Sequence, residues 1–149
     1  MSNALEAILN EVLMDEYKAR DTYRKVIETF GAVRPFVNIV EAEQTHIDLL
    51  LPVYKQHDIP VPAEPDPDRI APPGSLLEAC ETGVAAEIEN VAMYERLIPA
   101  TDQADVIEVL KWLQAASRDH HLPAFQRCVE RGGTPGGGPG FGRGRGGRR

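Results

Sequence analysis

Cysteine is scarce in this chain, and no apolar run is long enough to cross a membrane. The two cysteines, Cys80 and Cys128, stand far apart with no CxxC or other zinc spacing. That excludes a thiolate zinc site and leaves both to be read as small buried residues in a reducing compartment. The opening Met1-Ser-Asn-Ala-Leu-Glu6 is neither basic nor followed by an unbroken apolar stretch. Neither signal peptide nor membrane anchor is expected, and the expected location is the cytoplasm. Basic residues are short on the body of the chain. Residues 132–149 hold four arginines (Arg143, Arg145, Arg148, Arg149) and no acid, so the net charge of −7 becomes −11 on residues 1–131. Such an acidic body argues against nucleic-acid binding by the fold itself.

The 12 prolines and 13 glycines cluster, and what lies between them reads as helix. The first helix is predicted from about Asn3 to Phe30, capped by Ser2 or Asn3 and closed by Gly31. The second runs from about Pro35 to Gln56, with a kink expected at Pro52. Ser75 opens the third, with Glu78 at the capping-box position, and it runs to about Leu97. The fourth spans about Gln103 to Glu130, kinked at Pro123 and ended by Gly132. The turns 31–35 and 99–102 are short, so each makes an antiparallel hairpin. The proline-rich residues 57–74 can span roughly 60 Å when extended, twice the ~30 Å of a 20-residue helix. The expected fold is therefore all-α: a four-helix bundle of two antiparallel hairpins joined by a long crossover, over residues 1–131. Its connectivity is that of the ferritin-like bundle.

Carboxylates interrupt three of the apolar stripes. In the second helix the stripe runs Phe36, Ile39/Val40, Glu43, His46/Ile47, Leu50, Val53/Tyr54. Glu43 and His46, at i and i+3, share a helix face and can grip a transition metal from one side. Glu16 breaks the stripe of the first helix and Glu87 that of the third. An ionised carboxylate on a core face is costly unless it is paired or bound to a metal. One check runs the other way: counted along their helices, Glu16 and Glu43 differ in height by about 9 Å, which the first turn must absorb. In the fourth helix His120 and His121 lie 100° apart on the helix wheel. Val109, Leu113 and Ala116 support His120, whereas Leu110, Ser117 and Phe125 support His121.

The hairpins repeat one another. Glu16, Tyr23 and Ile27 recur at the same spacing as Glu87, Tyr94 and Ile98, and Ala42-x-x-x-His46 parallels Ser117-x-x-x-His121. The repeat favours His121. It also lacks a fourth carboxylate, since Glu43 has Arg118 as its counterpart, or Ser117 in the frame through His120. Tyr23 and Tyr94 fit either core filling with a satisfied hydroxyl or a place beside a metal, as hydrogen-bond partners or one-electron donors. His120 and His57 are expected at the surface.

Glu16-Tyr-Lys-Ala-Arg-Asp-Thr-Tyr23 followed by Glu43-x-x-His46 resembles the opening hairpin of rubrerythrin-type ferritin-like proteins. More closely, the chain resembles an uncharacterised ferritin-like domain family. The similarity lies in Val33-Arg-Pro-Phe-Val-Asn-Ile-Val-Glu-Ala-Glu-Gln44, Ala86-Glu-Ile-Glu-Asn-Val-Ala-Met-Tyr94 and Ala116-Ser-Arg-Asp-His-His-Leu-Pro-Ala-Phe125. It extends over roughly residues 5–130. The resemblance implies a di-iron or di-manganese carboxylate site falling on Glu16, Glu43, His46, Glu87 and His121. Arg118 and Ser117 depart from that pattern, so one metal or an unequal pair fits as well as a symmetric pair.

The expectation is thus a metal-binding protein with iron or manganese, zinc being compatible with the same ligands, and redox or oxygen/peroxide chemistry at the core. The competing expectation is a non-enzymatic helical interaction module whose polar core residues pair with one another, Glu43 with Arg118 for example. The Gly/Arg tail 132–149 cannot build a core and is expected to be disordered. It resembles arginine-glycine segments that bind RNA or other polyanions, with Phe141 able to stack on a base. A homodimer is compatible with the sequence, and no membrane partner is expected.

Overall fold

The computed structural model describes residues 2–134, with side chains from Ala4 onward. The tail from residue 135, with its expected disorder and polyanion binding, lies outside the described residues. The first helix, α1, spans Ser2–Phe30 and α2 spans Phe36–Gln56. Gly31, at φ +95°, closes α1 with its N–H on the Ile27 carbonyl at 2.8 Å. The second helix runs through Pro52 and ends in a paired cap. There the Ile59 N–H reaches Tyr54 O, the Asp58 N–H reaches Lys55 O, and Asp58 takes φ +59°. The third helix, α3, spans Leu76–Leu97, with Ser75 Oγ accepting from the Glu78 N–H at 3.0 Å. Glu78 answers on the Gly74 N–H rather than on that of Ser75, one residue beyond the expected box.

The fourth rod has three parts: α4 (Ala104–Ala116), a π turn (Ser117–His121) and α5 (Leu122–Glu130). The kink expected at Pro123 is instead a widened turn before it, closed by the Leu122 N–H on the Ser117 carbonyl. Proline crowds the carbonyl four residues back, and a five-residue turn relieves that contact. Gly132, the expected end, and Gly133, placed with the tail from sequence, close this rod with N–H bonds to Val129 O and Cys128 O. Gly133 is buried against the backbone of Leu77.

Cross-helix pairs give the topology. Between α1 and α2 they are Arg20 with Gln44, Glu16 with His46, and Asn10 with Tyr54, an antiparallel register. Ser117 with Asn90 and Cys80 with Cys128 set the fourth rod antiparallel to α3. Tyr23 with Glu87 and Glu16 with Tyr94 set α3 antiparallel to α1 as well. The chain must therefore climb from the end of α2 back along the bundle, and residues 57–75 do so. Two ion pairs pin that crossover to α1: Glu64 on Arg20 at 2.8 Å and Arg69 on Asp21 at 3.0 Å.

The core has two apolar layers. One gathers Leu9, Leu13, Leu50, Tyr54, Leu97, Leu110 and Leu113. The other gathers Tyr23, Val26, Phe36, Ile39, Cys80, Phe125 and Cys128. In α3 the buried positions include Gly83 and Asn90. Gly83 is small for a reason: a Cβ there would lie 2.7 Å from the Phe125 ring. Cys80 and Cys128 form a disulfide, with Cα atoms 6.0 Å apart, which corrects the reading of two separate core thiols. They meet only because the fourth rod runs back along α3, and the expectation of a reducing compartment loses that support. Among the described residues no helix is long and apolar enough to cross a membrane.

Candidate metal centre

The layer between the two apolar clusters consists of ionisable side chains. Glu16 from α1, Glu43 and His46 from α2, Glu87 from α3 and His121 from the π turn are all buried. The first turn absorbs the 9 Å offset, so all five heads converge. Of the adjacent histidines, His121 points inward and His120 is exposed.

Glu43 lies at the middle. Its Oε1 is 3.1 Å from His46 Nδ1, and its Oε2 is 3.5 Å from His121 Nδ1. Glu16 Oε1 stands 3.2 Å from His46 Nδ1, and Glu87 Oε1 stands 3.5 Å from His121 Nδ1. Two groups therefore overlap at Glu43: Glu16, Glu43 and His46 on one side, and Glu43, Glu87 and His121 on the other. The two imidazoles stack, with centroids 5.5 Å apart and planes at 18°. The outer carboxylate oxygens are held crosswise. Tyr94 donates to Glu16 Oε2 at 2.5 Å, and Tyr23 donates to Glu87 Oε2 at 2.6 Å. Burial, then the charge of the neighbouring glutamate, pushes both phenols well above their ordinary pKa, so they remain donors.

The rest of the electrostatics follows from crowding. Burial raises the Glu16 carboxyl to about 8, and the charge on Glu43 adds to the effect. Burial also acts to raise Glu43, but the adjoining polar groups of Glu16, His121 and His46 outweigh it and hold Glu43 below its ordinary value. Burial would depress the histidines. The adjoining carboxylates reverse this, lifting His46 to about 9 and His121 to about 10. Protons on Glu16, His46 and His121 thus do what cations would do. The arrangement is incomplete in the second group: Glu87 Oε1 and His121 Nδ1 are buried without a hydrogen-bond partner.

The position opposite Glu43 holds no carboxylate. Buried Ser117 donates to Asn90 Oδ1 at 2.6 Å, and the Asn90 amide donates to Asp15. Burial, against the hydrogen bond from Asn90, raises Asp15 to about 6. Arg118 is exposed and pairs with Asp119, so the suggested Glu43–Arg118 pair does not form. Trp112 was missed in the sequence. Its indole lies edge-on to His46, with centroids 5.8 Å apart, although the residue is 55% exposed. The buried Arg20–Asp21 pair was missed too, because two adjacent charges in a helix read as a solvated face. It anchors the crossover beside the site.

The molecule is thus an all-helical bundle whose middle layer is a buried carboxylate–histidine cluster. No protein-family model matches the chain. It is similar to the uncharacterised protein MJ0754 of Methanocaldococcus jannaschii, at 29% identity over 136 residues, covering 81% of this chain and 72% of that protein. The crystal structure of hypothetical protein MJ0754 from Methanococcus jannaschii DSM 2661 superposes with a TM-score of 0.78 at 27% identity. It covers 88% of this chain and 82% of that one.

Proposed function

We propose that the protein is a ferritin-like metal-binding protein whose core cluster takes iron or manganese, with zinc compatible with the same donors. The observation that carries this is Glu43, which turns one oxygen to each histidine while Glu16 and Glu87 close the two groups. Donors sharing one metal at about 2.0–2.2 Å lie about 3.0–3.5 Å apart, depending on the coordination angle. The spacings of 3.1–3.5 Å match such an edge. The two unpartnered atoms, Glu87 Oε1 and His121 Nδ1, fit ligands better than members of a finished hydrogen-bond network. Carboxylate and imidazole donors suit iron and manganese. Such an ion, when bound, would supply redox or oxygen/peroxide chemistry. Tyr23 and Tyr94 would orient the outer oxygens of Glu87 and Glu16, as hydrogen bonds around a metal site do.

The competing reading is an interaction module in which protons alone neutralise the cluster. The contacts of His46 with Glu16 and Glu43, which need no ion, favour it. Trp112 separates the two readings. It is the chain's one tryptophan, and its ring lies 5.8 Å from that of His46. Anaerobic addition of Mn(II), Fe(II) or Co(II) to tag-free protein is expected to quench its fluorescence and raise Tm by mass action. His46→Ala and Glu87→Ala are expected to lose most of both effects. No bound metal by elemental analysis, with a Tm indifferent to metal and chelator, would leave the module.

A further inference from the structure

Between α1 and α3 the bundle leaves a cavity of about 160 Å³. Its walls include Ala19 on α1 and Ala86 on α3, whose short side chains leave the space open. Three carboxylates line it, against the single cation Lys18: Glu89, Asp15 and Glu87. They differ in depth, Glu89 being exposed, Asp15 half-buried and Glu87 buried. Glu87 is also the residue whose Oε1 lacks a hydrogen-bond partner. At about 30 Å³ per water, the space holds roughly five waters, enough for a divalent cation that keeps part of its hydration shell. An acidic passage of this kind concentrates cations. Trp112, which reports on the cluster, meets His46 edge-on.

We propose that this cavity is the path by which a partly hydrated divalent cation reaches the buried cluster, passed from Glu89 and Asp15 to Glu87. The proposal rests on the metal-binding reading above. The test is stopped-flow mixing of full-length protein with Co(II), read by Trp112 fluorescence, with the final metal content measured separately. Ala19→Leu and Ala86→Leu narrow the path from opposite walls without touching a ligand, and each is expected to slow loading at least tenfold with unchanged final stoichiometry. Asp15→Asn is expected to slow it and to weaken its dependence on ionic strength. Ala104→Leu, exposed at the start of α4 and away from the cavity, serves as the control and should load like wild type. If either leucine variant fails to fold, the other and Asp15→Asn carry the test. Wild-type loading rates in the narrowed variants and in Asp15→Asn would overturn the path while leaving metal binding intact. Absence of Co(II) uptake by wild type would overturn both.

Discussion

Gly83 shows how a single position is decided by its neighbours. In an exposed helix, alanine in place of glycine stabilises by about 1 kcal/mol. Here the added Cβ would sit 2.7 Å from the ring of Phe125. That ring cannot retreat freely, since the rings of Tyr23 and Phe36 have centroids 5.0 and 5.3 Å away. Overpacking of this kind costs about 1–3 kcal/mol. Gly83→Ala is therefore expected to lower Tm by about 2–6 °C, checked by calorimetry. A rise would mean that Phe125 moves without strain. Glu16, Glu43, His46 and Glu87 were legible in the sequence because each placed a polar group on an apolar stripe, whereas periodicity left His120 and His121 open and only the repeat favoured His121. Trp112 and Asn90 were not, since neither type at its position stands out before the helices are packed.

Among the elements, the end of α2 carries a strained cap. Asp58 takes φ +59° at the position where glycine is usual. Its carboxylate also sits at the negative end of the helix dipole. Asp58→Gly removes both penalties and is expected to raise Tm by about 2–4 °C, whereas Asp58→Ala, which removes the charge but keeps the backbone strain, is expected to gain clearly less. Thermal melts of the pair decide the point. If both variants shift Tm alike, backbone strain is not the cause. The extent of each helix was readable from stripes and caps. The π turn was not, because hydrophobic periodicity reports a face and not the number of residues in one local turn. That turn places Ser117 and His121 inward while Arg118 and His120 face solvent.

Over the whole molecule the cluster predicts an unusual pH dependence. Glu16 at about 8, His46 at about 9 and His121 at about 10 all hold protons more tightly in the folded state than in the unfolded one. For the histidines, the stabilisation is full below their unfolded value and is lost as pH rises through 9 to 10. For Glu16, destabilisation appears between its unfolded value near 4.5 and about 8. Glu43, held low, acts in the opposite sense and withdraws stability only in acid. Chelated protein is therefore expected to be most stable near pH 5 and to lose about 5 °C or more by pH 9. Metal must displace the same protons, so its binding tightens as pH rises. The Tm gain on loading should grow over the same range. A flat profile for chelated protein would show that the cluster does not hold those protons.

The sequence by itself determined four helical rods, their hairpin pairing, the long crossover and the inward position of Glu16, Glu43, His46 and Glu87. Stripes, caps and connection lengths are local, and they fix these features without reference to any neighbour. Tertiary structure alone decided the rest. It joined Cys80 to Cys128, turned Glu43 between two histidines and crossed Tyr23 and Tyr94 onto the opposite hairpin's carboxylates. Apart from Glu43 and His46, which share α2, each of these joins residues on different helices, and such pairs depend on the register and rotation of one rod against another. Those quantities are set by how whole faces pack, as where the ring of Phe125 meets Gly83.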